Sequence, residues 1–147
     1  MRLLIIEDDS SLAEVTRKLL LNFESDIPPI ARRITTVEVV ADLETALAVL
    51  PAFDAVLCDG EFLARPGSTE VGKFWGTVVM LARRLWVPCI IYSGNVNVTE
   101  DAATCGVAAL EKSAKIEVLH AVIIAVHDSL ASLRTRFGKA EPTATAA

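Results

Sequence analysis

The chain has 147 residues, of which 52% are hydrophobic and 22% charged, with a formal net charge of -5 and a pI near 5.0. That length fits one domain around one core, and the composition excludes a fibrous or disordered chain. The acidic surplus argues against a nucleic-acid partner, because a duplex-binding surface needs positive charge to meet the phosphates. The basic clusters Arg32-Arg33, Arg83-Arg84 and Arg134 with Arg136 read as solvated loops or helix ends. No apolar run approaches the ~18 to 20 residues of a membrane span, and the N-terminus lacks the order of a signal peptide. A cytoplasmic protein with no membrane partner is expected. Cys58, Cys89 and Cys105 show no metal-site spacing and read as reduced thiols.

The first strand is expected at Arg2 to Ile6, ending in Glu7 and Asp8. Ser11-Leu12-Ala13-Glu14 has capping-box spacing, which predicts a helix to about Phe23 with an apolar stripe of Leu12, Val15, Leu19 and Leu20. Pro28-Pro29 marks a loop, and Ile34 to Val40 reads as the second strand. Asp42 caps a second helix that Pro51 stops. Ala55 to Cys58 is the third strand, ending in Asp59, followed by a loop over Gly60 to Gly67. A third helix is expected from Ser68 or Thr69 to Leu85, with Val71, Phe74, Trp75, Val78, Val79 and Ala82 on its apolar face.

The fourth strand, Val87 to Tyr92, ends in Ser93. A short helix over Thr99 to Cys105 stops at Gly106, and Val107 to Leu110 forms the fifth strand, with Lys112 just beyond. Ser113 is expected to cap the last helix, which runs to Phe137. Its stripe of Ile116, Leu119, Val122, Ile123, Val126, Leu130 and Leu133 is widened by Val118, Ile124 and Ala125 beyond what one sheet face covers. His120 and His127 on this helix read as packing or surface residues rather than ligands. Gly138 to Ala147 reads as a disordered tail after one domain over residues 1–137.

Five alternating strand–helix units predict a doubly wound α/β domain with a five-stranded parallel sheet. In such sheets the ligand crevice lies beyond the carboxyl ends of the strands. That edge would gather Glu7, Asp8 and Asp59, the Ser93 hydroxyl and the Lys112 ammonium. Oxygen donors beside a cation suit divalent metal and phosphate chemistry. A single strand-end Asp is usually a turn former or cap; a cluster of titratable groups in one crevice is harder to explain by packing.

Four stretches resemble the receiver domain of two-component response regulators over residues 2 to 137. They are Leu3-Leu4-Ile5-Ile6-Glu7-Asp8-Asp9, Phe53-Asp54-Ala55-Val56-Leu57-Cys58-Asp59, Pro88-Cys89-Ile90-Ile91-Tyr92-Ser93-Gly94 and Gly106-Val107-Ala108-Ala109-Leu110-Glu111-Lys112. The resemblance implies a flavodoxin-like sheet of order 2-1-3-4-5 with Asp59 as phosphoacceptor. Mg2+ would be bound by Glu7, Asp8, Asp59 and the backbone carbonyl of Glu61. Lys112 would pair with Asp59 and later with the phosphoryl oxygens, to which Ser93 would donate its hydroxyl. The implied partners are a histidine kinase or phosphotransfer protein and a downstream protein target. A homodimer through the last helix is a further expectation. The protein would not be an enzyme with a separate turned-over substrate.

Several positions depart from the pattern. Ala109 stands where the family usually has a Tyr or Phe that reorients on activation. Ser113 replaces the usual proline, so no cis peptide is expected there. The loop after Asp59 is long and carries Glu61, and the interval from Ser93 to Lys112 is short, implying a fourth helix that is cut to one or two turns or is irregular. With ten residues after the last helix, no output domain is expected. The alternative reading is a degenerate receiver serving as a phosphorylation-independent interaction or dimerisation module.

Overall fold

A computed structural model describes residues 1–23 and 34–138. The loop expected at Pro28-Pro29 and the tail expected over 139–147 lie outside the described residues.

The elements are β1 (Arg2–Ile6), α1 (Ser10–Asn22), β2 (Thr36–Val40), α2 (Leu43–Val49), β3 (Ala55–Cys58), β4 (Phe62–Leu63), β5 (Val71–Gly72), α3 (Trp75–Arg84), β6 (Cys89–Ser93), α4 (Val96–Thr104), β7 (Ala109–Glu111) and α5 (Ile116–Phe137). Five strands form one parallel sheet in the order β2-β1-β3-β6-β7, the flavodoxin-like arrangement expected from sequence. Side chains alternate across it, as a pleated strand requires. Leu3, Ile5, Leu57 and Ile90 face α1 and α5, packing with Leu20, Leu119 and Ile123. Leu4, Ile6, Val56 and Ile91 face α2, α3 and α4, packing with Ala46, Val78, Ala82 and Val98. Burying each such aliphatic side chain contributes roughly 1.5–3 kcal/mol. Cys58 is a fully buried member of this core, and burial pushes its thiol well up, so it stays neutral.

Several boundaries differ from the sequence reading. Asp9, two residues ahead of the expected Ser11, caps α1 by accepting the Leu12 N–H at 3.1 Å. Glu14 is drawn instead to Arg17, at 2.9 Å. The apolar stripe of α1 is also turned. Ala13, Thr16 and Leu20 are buried, while Leu12, Val15 and Leu19 are 37%, 55% and 50% exposed. Thr16 can be buried because its hydroxyl donates to the Leu12 carbonyl at 3.1 Å. Asp42 caps α2 as expected, accepting the Thr45 N–H at 2.7 Å. Pro51 sits in a 3-10 turn, Leu50–Ala52, that closes that helix.

The largest difference follows Asp59. In place of a loop and an early helix start, β4 and β5 pair as an antiparallel hairpin, so Val71 belongs to a strand and α3 begins only at Trp75. Phe62 is fully buried and meets Phe74 edge-on at 6.0 Å. This pairing is invisible to a helical-period count, which places Val71 and Phe74 on one apolar face.

α3 ends with Trp86 in the left-handed region (φ 56) and the Val87 N–H donating to the Ala82 carbonyl at 2.9 Å. α4 ends the same way at Gly106 (φ 74), with Val107 reaching Ala102 at 2.9 Å. β6 and β7 each sit one or two residues later than expected. α4 starts earlier, at Val96, capped by Asn95, which accepts the Asn97 N–H at 3.0 Å. At nine residues it exceeds the one or two turns expected.

Ser113 does not cap α5. The cap position is Lys115, which makes no side-chain cap hydrogen bond. On α5 only Leu119, His120 and Ile123 are buried, and His120 lies 4.7 Å from the Phe23 ring. Farther along, Leu133 is 44% and Phe137 69% exposed. By length and composition alone α5 could cross a membrane, a test that core helices also pass.

Candidate functional site

The site is built by main-chain hydrogen bonds that carry the sheet past its strand ends. The Glu7 N–H donates to the Val40 carbonyl at 2.9 Å, Asp59 N–H to Ile6 at 3.0 Å, and Lys112 N–H to Ser93 at 3.0 Å. The side chains that leave the sheet at these points converge at one edge, as its parallel direction dictates.

Lys112 Nζ lies 2.8 Å from Glu7 Oε2 and 3.2 Å from Asp59 Oδ1. Glu7, Asp8 and Asp59 each offer a carboxylate oxygen, and these oxygens lie within 4.8 Å of one another. Glu7 is almost wholly buried; Asp8 and Asp59 are half-buried. Burial, then hydrogen bonding with Asp59, pushes the Glu7 carboxyl up to about 7 against the opposing pull of Lys112. On Lys112, burial works against the charge, but Glu7 and Asp59 outweigh it and raise its pKa.

Asp59 Oδ1 also accepts the Gly60 N–H at 2.7 Å. Gly60 has a steric role. A β-carbon there would lie 2.7 Å from Val98 Cγ1 and 2.8 Å from Ser93 Oγ, so only glycine lets α4 and β6 close on the Asp59 turn. Ser93 is buried and its Oγ accepts the Asn95 N–H at 3.1 Å, which leaves the hydroxyl proton free to donate.

A cleft of about 290 Å³ opens beside this cluster, lined by Asp8, Asp59, Glu61, Val71, Ser93, Gly94 and Asn95. All six candidate residues named from sequence therefore gather at one edge. Glu7, Asp59 and Lys112 touch directly, while Asp8, Asp59, Glu61 and Ser93 share the cleft. Glu61 is exposed. Gly60, Val71 and Asn95 join the site without belonging to the set expected from the strand ends. Asn95 carried a readable signal, an Asn ahead of a helix, whereas Val71 reaches the cleft only through the hairpin.

The donor set suits a hard divalent cation. Three carboxylate oxygens this close repel one another unless a positive charge is shared among them, and oxygen ligands with room for retained waters are what Mg2+ takes. Glu7, Asp8 and Asp59 could hold such an ion.

A second, open groove of about 480 Å³ runs between α4 and β7. Val96, Thr99, Glu100, Ala103, Ala109, Leu110, Glu111, Ser113 and Ala114 line it. It includes Ala109, where the resemblance calls for an aromatic ring.

No family model matches the sequence, and no curated protein matches it. Solved structures do. A CheY-like response regulator receiver domain protein from Methanospirillum hungatei is 18% identical, with a TM-score of 0.64 over 89% of this chain and 96% of that one. A response regulator receiver protein from Sinorhizobium medicae is 20% identical, with a TM-score of 0.66 over 88% and 96%. The receiver domain of NtrX from Brucella abortus is 19% identical, with a TM-score of 0.62 over 86% and 98%. The chain thus has the fold of the response-regulator receiver domains, which it matches along nearly their whole length.

Proposed function

We propose that this chain is a phosphoacceptor receiver, taking a phosphoryl group from a histidine kinase or phosphotransfer protein onto Asp59. The observation that carries this reading is the convergence of Lys112 Nζ on Glu7 and Asp59 within a cluster of three carboxylates. Asp59 Oδ1 is already engaged by Gly60 and Lys112, so Oδ2 is the oxygen left to attack phosphorus. As the new P–O bond forms, the P–N bond of the donor phosphohistidine breaks and the imidazole leaves.

Glu7, Asp8 and Asp59 would hold Mg2+, with the Glu61 backbone carbonyl as a further ligand. When bound, the ion supplies neutralisation of the phosphoryl oxygens. Lys112 can shift from Asp59 to a phosphoryl oxygen, keeping its contact with Glu7. Ser93, whose proton is not committed, donates to another. Both act by charge and position, the main contributions in phosphoryl transfer. The phosphorylated form would then signal through altered contacts with a downstream protein. We place the protein in the cytoplasm, without nucleic-acid or membrane partners and without a separate turned-over substrate.

A homodimer through α5 belongs to the same reading, supported by the exposure of Leu133 and Phe137 beyond the buried half of the helix. Light scattering that returns a single-protomer mass at high concentration, with and without a phosphoryl mimic, would count against it. A second reading, a degenerate receiver that binds partners without being phosphorylated, is favoured by the hollow at Ala109.

One experiment separates the two main readings. The chain is incubated with acetyl phosphate and Mg2+ and weighed intact. We expect a gain of one phosphoryl group that EDTA prevents and Asp59→Asn abolishes. No gain in the unaltered chain transfers the case to the degenerate reading.

A further inference from the structure

Among the described residues, Val71 is the one aliphatic side chain lining the Asp59 cleft; the rest of that lining is carboxylate, hydroxyl, amide and glycine. β5 carries it there, and the hairpin that holds β5 is built into the body at three points. Phe62 on β4 is fully buried. The Leu63 N–H donates to the Ala41 carbonyl and the Glu44 N–H to the Ala64 carbonyl, both at 3.2 Å, so β4 is bridged to the chain just past β2 and tied to the first turn of α2. Gly72 lets the Phe74 ring lie against β5, since a β-carbon there would sit 2.5 Å from Phe74 Cζ. A strand fixed in this way keeps its side chains in place.

We propose that the hairpin is a fixed wall of the cleft, that Val71 denies a hydrolytic water a hydrogen-bonding partner on that side, and that the phosphoryl group on Asp59 lives longer as a result. The inference rests on the receiver reading. The reaction it restrains is attack of water on phosphorus, with cleavage of the P–O bond to Asp59. The carboxylate is restored, and inorganic phosphate leaves with the oxygen and one proton of the water, the other proton passing to phosphate or solvent according to pH. A water with no partner on the Val71 side keeps more orientational freedom that must be lost at the moment of attack, whereas one also anchored on that side is ordered beforehand.

The test uses the full chain, loaded with acetyl phosphate and Mg2+, freed of donor and followed by intact mass. Val71→Thr keeps the shape and adds a hydroxyl; Val71→Ala removes the bulk. Val71 is 47% exposed, so neither change empties the core. Met80→Thr, at a 69% exposed position on α3, is the control. We expect Val71→Thr to lose phosphate about fivefold faster than the unaltered chain, the rate equivalent of one net hydrogen bond gained in the transition state. Val71→Ala should also be faster, and Met80→Thr unchanged. If both Val71 variants load normally and decay at the unaltered rate or slower, the inference is overturned while the receiver reading stands. If the unaltered chain never gains the phosphoryl mass, the receiver reading falls and takes this inference with it.

Discussion

The acid corner and the α4–β7 groove share one edge of the sheet and are built in opposite ways. At the corner, a partly buried ammonium meets two carboxylates at 2.8 and 3.2 Å, and no buried side-chain polar atom among the described residues lacks a partner. In the groove, Ala109 and Ala103 line a hollow flanked by Glu100 and Glu111, open to solvent. The corner needs only a few side chains at strand ends, so its charge arrangement is complete without the groove. A switch that works by swinging a ring is not available at Ala109, which has no ring. The regions are linked by the β6–β7 pairing, extended by Lys112 N–H to the Ser93 carbonyl at 3.0 Å and by the Tyr92 hydroxyl to the Lys112 carbonyl at 3.3 Å, and by Ser93 Oγ, which accepts the N–H of Asn95, the cap of α4, at 3.1 Å.

The strongest way to break the comparison is to empty the corner of its cation. Lys112→Met leaves the Glu7 and Asp59 carboxylates facing each other, and we expect a loss of about 2 kcal/mol at neutral pH without metal, since one partner of a buried pair has been removed. Denaturant unfolding checks it. A change under about 0.5 kcal/mol would mean that solvent already screens the pair, as it does for exposed bridges.

The pH response sharpens the same point. The Glu7 carboxyl ionises at about 7 in the folded chain against 4.5 for the ordinary group. Between those values the folded chain holds more protons than the unfolded one, so stability without metal falls as pH rises through the window. The fall should be on the order of 1–3 kcal/mol, and Glu7→Gln should flatten it. Mg2+ competes with that proton, so its affinity should climb over the same range. Stability that stays level from pH 4.5 to 7 in EDTA would contradict the cause assigned here.

The smallest effect is expected in the groove. Ala109→Tyr places a ring beside open space, so stability should change by less than about 1 kcal/mol, with little of the strain of an overfilled core. Phosphoryl uptake should stay within about twofold, well inside the 1.4 kcal/mol that a tenfold change represents. Loss of uptake in this variant would show that the corner and the groove are not separable.

Much of the fold was legible because its signals are local. Strand β1, strand β3 and the Asp42 cap follow from runs of apolar residues and one carboxylate, and Gly106 from the left-handed turn it adopts. The gathering of Glu7, Asp59 and Lys112 was legible too, because parallel strands deliver their ends to one edge whatever the details of packing. The orientation of α1 was not. Leu12, Val15 and Leu19 look like a core stripe, yet the sheet takes the face of Ala13, Thr16 and Leu20, whose smaller side chains allow close approach and whose hydroxyl finds a carbonyl within the helix.

Sequence alone therefore determined the strand–helix alternation and the identity of the charged groups at the strand ends, since periodicity and residue chemistry are properties of short stretches. Tertiary structure decided the contacts that join distant stretches. The hairpin exists because Phe62 finds a buried place beside Phe74 and because Gly72 leaves room for that ring. Glu7 is pushed towards neutral pH because the folded sheet buries it beside another acid. Neither can be read from a window of neighbours, because both depend on which surfaces water is excluded from once the layers close.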